Sequence, residues 1–183
     1  GFFDDWQPDT AKITDPAGDG ASHDFLSLSL RNDSLHLYLK LELAQEINLQ
    51  DLNFITLYVD VDNNASTGVP VNNIGADFTY TFGSRTGSFN GSVVQQNDVG
   101  LITLPTITSK IFEIALDRNA MPTGPSQLFP QNQIKLVIKD DEPGGDVFPN
   151  NGNISYTFSN IPTEPYHLID LEREDSSLIR LVN

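Results

Sequence analysis

At 183 residues, 38% of them hydrophobic and eleven of them Phe, the chain is long enough for one domain with a real core, or at most two small ones. A formal net charge of -15 repels phosphate backbones and argues against nucleic-acid binding. The absence of cysteine excludes disulfides, thiolate metal sites and cysteine nucleophiles. No apolar run approaches the ~18 residues of a membrane-spanning helix, so membrane insertion is not expected. Only 19% of residues are charged, and Asn, Ser, Thr and Gln are plentiful. That mix suits a sheet with solvated loops better than a helical surface built on Glu and Lys.

Period-2 alternation dominates the chain. FLSLSLR at 25–31 and LHLYLKLEL at 35–43 each put leucines on one face, as a half-buried strand requires. RNDS between them is turn chemistry, which predicts a hairpin. The second run would set Leu35, Leu37, Leu39, Leu41 and Leu43 against the core and His36, Tyr38, Lys40 and Glu42 outside. AQEINLQDL at 44–52 is expected to hold a turn of helix. FITLYVD (54–60) reads as a central strand and ADFTYTFG (76–83) as another. SFNGSVVQQ, VGLITL, KIFEIALD, QIKLVIKDD and ISYTFSN each read as a further strand. RNAMPTGPSQLF (118–129) is expected to hold a second helical turn, limited by Pro122 and Pro125. About nine to eleven strands with short turn signals predict an all-β fold. The expected architecture is a jelly-roll-like antiparallel β-sandwich of two stacked sheets, in one domain over residues 1–183.

Carboxylates gather where strands end. In YVDVDNNASTG, Asp60, Asp62, Asn64 and Ser66 present side-chain oxygens at every second position. A loop curling round a hard cation converges oxygens with that spacing. Asp77 in the following GAD would close the shell. The sequence lacks the preceding helix, the glycine at loop position 6 and the Glu at position 12 of an EF-hand. Turn preference alone explains NNAS. It explains less well two Asp on alternate residues at the end of an apolar strand. ITDPAGDGASHDF supplies a second cluster, Asp15, Asp19 and Asp24, for which Ca²⁺ and solvated turn stand as alternatives. His23 reads as a structural hydrogen-bonding residue. KDDEPGGDVFPN, with Asp140, Asp141, Glu142 and Asp146, reads mainly as an exposed loop.

The order Asp-Asp-Trp, DPAGD, HDF, an ND hairpin, LYVDVDNNASTG and GAD resembles the family 9 carbohydrate-binding modules and the wider DOMON-like β-sandwich group. The likeness covers roughly residues 4–83. It implies two antiparallel sheets, structural calcium and often a sugar or haem site on a secreted protein. The calcium role would fall on the DPAGD segment and on Asp60, Asp62, Asn64 and Asp77. Sugar-binding members of the family clamp the ring between two tryptophans, whereas this chain has only Trp6. Tyr80, Asp146 and Phe148 are the other candidate ligand contacts. Haem is not expected, because no motif places an axial His or Met.

Catalysis has no local signature. There is no G-x-S-x-G, and His23, His36 and His167 lack placed partners. The sequence therefore predicts a non-catalytic, Ca²⁺-stabilised accessory module of an extracellular bacterial protein, with carbohydrate as its ligand. The alternative is a spacer or protein–protein module. The terminal DSSLIRLVN reads as a last edge strand; it also resembles the first strand of endonuclease/exonuclease/phosphatase enzymes, which would make the chain the front module of a larger enzyme. No export signal is visible, and a start at Gly1 leaves room for one removed upstream.

Overall fold

The computed structural model describes residue 6 and residues 12–159; the terminal run 175–183 lies outside them. The described chain forms fourteen strands. A five-stranded antiparallel sheet has the order β1 (Lys12–Thr14), β2 (Phe25–Asn32), β3 (His36–Ile47), β11 (Ser109–Asp117), β10 (Ile102–Leu104). A seven-stranded sheet runs β13 (Val147–Phe148), β12 (Gln133–Asp140), β4 (Ile55–Asp60), β7 (Phe78–Thr81), β8 (Thr86–Phe89), β9 (Ser92–Gln95). In that sheet β14 (Ile154–Thr157) shares the outer side of β12 with β13. A small hairpin, β5 (Val69–Val71) with β6 (Ile74–Ala76), makes a separate ribbon.

The alternation read from the sequence sets the sandwich. Leu37, Leu39, Leu41 and Leu43 of β3 meet Phe112, Ile114 and Leu116 of β11 on one inner face. Leu57, Val59, Phe78, Tyr80, Leu136 and Ile138 line the other, and all belong to one buried cluster. Leu35 departs from the pattern. It lies in the turn before β3 and is 46% exposed.

Among the described residues there is no α-helix, only a 3₁₀ turn at Gln96–Val99. Neither expected helical turn forms. Residues 44–47 prolong β3, because Ile47 pairs with Ser109 and the Ala44 amide donates to Asp24. Tertiary pairing overrides a weak helical propensity here. Residues 118–129 form an irregular loop in which Thr123 and Ser126 make an isolated bridge. SFNGSVVQQ is a hairpin rather than one strand, with Asn90 at φ 50° and Gly91 at φ 79°. Both central residues take the positive φ of a tight two-residue turn. A Cβ on Gly91 would meet nothing within 4 Å, so Gly91→Ala carries only the backbone cost. We expect a loss of about 1 kcal/mol in denaturant unfolding. A loss several times larger would mean that the turn bears on more than its own backbone.

The ribbon β5–β6 turns through Asn72 and Asn73, at φ 40° and 64°. Its Ile74 and Ala76 pack on Val137, with Tyr58 beside them. Tyr58 and Val137 alternate with the core residues of β4 and β12, so the ribbon lies over the outer face of the larger sheet.

Candidate metal centres

The first centre forms where β4 ends beside the start of β7. Asp60 follows Thr56 and Tyr58 on the face turned from the core, yet it is fully buried. Loop 61–68 folds back over Gly75. A Cβ there would stand 1.9 Å from the Thr67 carbonyl oxygen and 2.8 Å from that of Asn64. Glycine thus permits the close approach that closes the loop over Asp60.

One oxygen from each of Asp60, Asp62 and Asp77 lies within 4.8 Å of the others. Asp60 Oδ1 accepts the Asn64 amide at 3.0 Å, while Asp60 Oδ2 is buried with no hydrogen-bond partner. Asp77 Oδ2 accepts the Val61 amide at 3.2 Å. Exposed Asp62 accepts the Asn64 amide and the Thr67 hydroxyl. Burial first, and then the charge of Asp62, push the Asp60 carboxyl upward, against the Asn64 amide and Lys135. Burial likewise raises Asp77, helped by Asp62 and Asp60. Asn64 and Ser66 lie in the exposed loop, where Asn64 Oδ1 accepts the Ser66 amide at 3.1 Å. This is an Asx-turn role. An all-oxygen, irregular set of this kind suits a large hard cation such as Ca²⁺ better than Mg²⁺.

The second centre joins two loops that are far apart in sequence. Oxygens of Asp15, Asp19 and Asp146 converge within 4.8 Å. Asp15 Oδ2 is buried without a hydrogen-bond partner. Burial first, then the charges of Asp146 and Asp19, push its carboxyl up to about 6. Burial also raises Asp146, although the Phe25 and Val147 amides donate to it, each at 2.7 Å. Asp19 accepts the Asn150 side-chain amide at 2.6 Å. Asp24 sits beside the three rather than among them, and its carboxylate accepts the amides of Gly18 and Gly20.

The reading of 139–150 as an exposed loop needs correction. Asp140 is fully buried with its carboxylate 2.9 Å from His23 Nδ1, and Asp146 is buried too. The loops are tied by the Ala21 amide on the Gly144 carbonyl and by contact at Gly20, where a Cβ would lie 2.8 Å from that of Asp146.

No protein-family model, curated protein or solved structure matches the chain. The centres therefore stand on their geometry.

The two centres occupy opposite ends of the β4–β12 pair. Asp60 lies opposite Lys135 and Asp140 opposite Ile55, while Asp146 returns to accept the Asp140 amide.

The aromatic residues named as sugar contacts are buried, which corrects that expectation. Trp6 is 8% exposed; its Nε1 donates to Glu113. Arg31 and Lys40 lie 4.2 and 5.1 Å from its ring centroid. Tyr80 follows Phe78 inward on β7, and Phe148, opposite Ile138 on β13, is fully buried in the same core. Tyr58 and Tyr156 are half-buried and engage Asp141 and Asn32 through their hydroxyls.

Proposed function

We propose that the chain is a non-catalytic, calcium-stabilised β-sandwich module serving an extracellular protein. The observation that carries this reading is Asp60 Oδ2, a buried carboxylate oxygen without a hydrogen-bond partner, on a residue whose carboxylate converges with two more. Burying a charge without a partner costs several kcal/mol unless a counter-charge compensates it. A divalent cation supplies that charge and makes the convergence of three acids favourable. The second centre adds Asp15, whose Oδ2 is in the same situation. Exposed Asp62 and Asp19 leave both ions open to exchange, which suits the high free calcium outside cells. Placing the acids on an ion, with backbone amides holding their other oxygens, assigns them to structure rather than to proton transfer. The burial of Trp6, Tyr80 and Phe148 favours a spacer or accessory role over sugar capture by ring stacking.

Calorimetric titration of cation-depleted protein tests the reading. We expect about two Ca²⁺ per chain and much weaker binding of Mg²⁺. Protein that takes up no Ca²⁺ would reduce both clusters to solvated turns and leave the spacer reading alone.

A further inference from the structure

We infer that His23 is a positioning residue for the second centre: its bond to Asp140 clasps the two loops of that centre together and thereby sets the affinity for the ion there. This inference rests on the calcium reading above and concerns one of the two sites. The first centre takes its acids from residues 60–77. The second takes Asp15 and Asp19 from one loop and Asp146 from another. It is preformed only if those loops are held against each other, and three converging carboxylates push them apart. A site held in shape before the ion arrives spends less of the binding free energy on ordering.

The clasp sits at the base of both loops. His23 Nδ1 lies 2.9 Å from Asp140 Oδ2, across 117 residues of sequence. A carboxylate oxygen only accepts, so Nδ1 is the donor. The Asp140 side chain is fully buried and that of His23 is 19% exposed, so water competes little for the bond. Each partner is tied in turn to the acids of its own loop. The Asp140 amide donates to the Asp146 carbonyl at 2.9 Å, and Asp140 Oδ1 accepts the Glu142 amide at 3.2 Å. Gly145 folds back so closely that a Cβ there would stand 2.1 Å from the Asp140 carbonyl oxygen. In the other loop, Asp24, next to His23, accepts the amides of Gly18 and Gly20, which flank Asp19. Gly20 itself packs between the loops: its Cβ would stand 2.2 Å from the His23 carbonyl oxygen and 2.8 Å from the Asp146 Cβ. The Phe25 amide and the Asn150 side chain also cross between the loops, but they bond the carboxylates of Asp146 and Asp19 themselves. The His23–Asp140 pair joins the loops and leaves the ion's own acids untouched.

The test is calorimetric titration of the cation-depleted chain with Ca²⁺, for the wild type, His23→Ala and His23→Asn. The asparagine keeps an N–H donor at the position of Nδ1. We expect His23→Ala to raise the Kd of one ion about 10–100-fold, the usual cost of losing a group that orients metal ligands without touching the metal. The Kd of the other ion should not change, which also shows that the variant is folded. His23→Asn should recover most of the loss. The double variant His23→Ala/Asp62→Asn assigns the ions: the weakened step should persist in it and the unchanged step should vanish with the first centre. A purely structural His23 would lower the unfolding temperature in chelator and leave both Kd values as they were. That result, equal weakening of both ions, or no recovery by asparagine would overturn the assignment while leaving the calcium reading in place. A wild-type chain that takes up no Ca²⁺ would remove the calcium reading, and this inference with it.

Discussion

In cation-depleted buffer at pH 7 the chain is expected to unfold roughly 10–20 °C below its unfolding temperature in excess Ca²⁺. An ion that binds only the folded state adds about 2.7 kcal/mol at a hundredfold excess over its Kd. Two centres add about twice that, and in a chain of this size each kcal/mol shifts the transition by about 2–4 °C. The pH dependence should also change sign with the ion. Asp15, Asp60, Asp77 and Asp146 all have carboxyls raised by burial and by neighbouring acids. Such groups hold protons more tightly when folded, so without the ion their penalty is complete above the folded pKa, about 6 for Asp15. It fades as the pH falls towards the unfolded value of about 3.9. Asp141 and Glu42 are lowered and lose their contribution only as the pH falls further, through their folded pKa. Between pH 7 and about 5 the depleted protein should therefore gain stability on acidification. The calcium form should lose it, because protons displace the ion. Scanning calorimetry at both pH values decides the matter. Equal transitions with and without Ca²⁺ at pH 7 would sink the ion assignment.

Asp60→Asn should raise stability without Ca²⁺ and lower it with Ca²⁺. The amide oxygen can still accept from Asn64, as Asp60 Oδ1 does at 3.0 Å. The charge of the carboxylate with unpartnered Oδ2 is gone, and a neutral amide stands beside the two remaining acids. Relief of a buried, unmatched charge is expected to return about 1–3 kcal/mol in depleted buffer. In excess Ca²⁺ the variant forfeits the increment of that centre, about 2.7 kcal/mol at a hundredfold excess over Kd. Asp62→Asn, at an exposed position, should lose the calcium increment with little gain in depleted buffer. Denaturant unfolding of the three proteins in both buffers separates these cases. Equal destabilisation by Asp60→Asn with and without Ca²⁺ would assign Asp60 to the loop alone.

The sandwich was legible wherever a strand spans the two environments of a half-buried sheet. β3 and β4 show it, since their apolar alternation survives as the inner face of the core. Short strands gave no such signal. β1, β5, β6 and β13 have two or three residues each, too few for a period to repeat. Their pairing is fixed by neighbours. The Asn72–Asn73 turn is the local mark of the ribbon in the sequence.

The first centre was largely legible because Asp60, Asp62 and Asp77 lie close in sequence, at the end of β4, in the loop after it and in the bend before β7. The second was half legible. Asp15 and Asp19 are local to one another, but Asp146 comes to them from over a hundred residues away. Asp24, closer in sequence, is drawn off by the Gly18 and Gly20 amides. Gly-Gly before Asp146 was the available mark of a close approach. The aromatic candidates failed for a different reason: residue type gives no hint of which face a ring occupies, and Tyr80 shares the inward parity of Phe78 and Phe82.

The centres stand at the two ends of β4, with four residues between Asp60 and Ile55, roughly 17 Å of strand. That span is about twice the Debye length at physiological salt, ~8 Å, and beyond the range at which sites usually couple. Two ions taken up independently on folding make the folded-to-unfolded ratio scale with the square of free calcium. In excess ion, doubling the calcium raises that ratio about fourfold rather than twofold. Two such ions, rather than one, would steepen the response of folding to its surroundings, and the distance between the centres means they would do so without cooperativity.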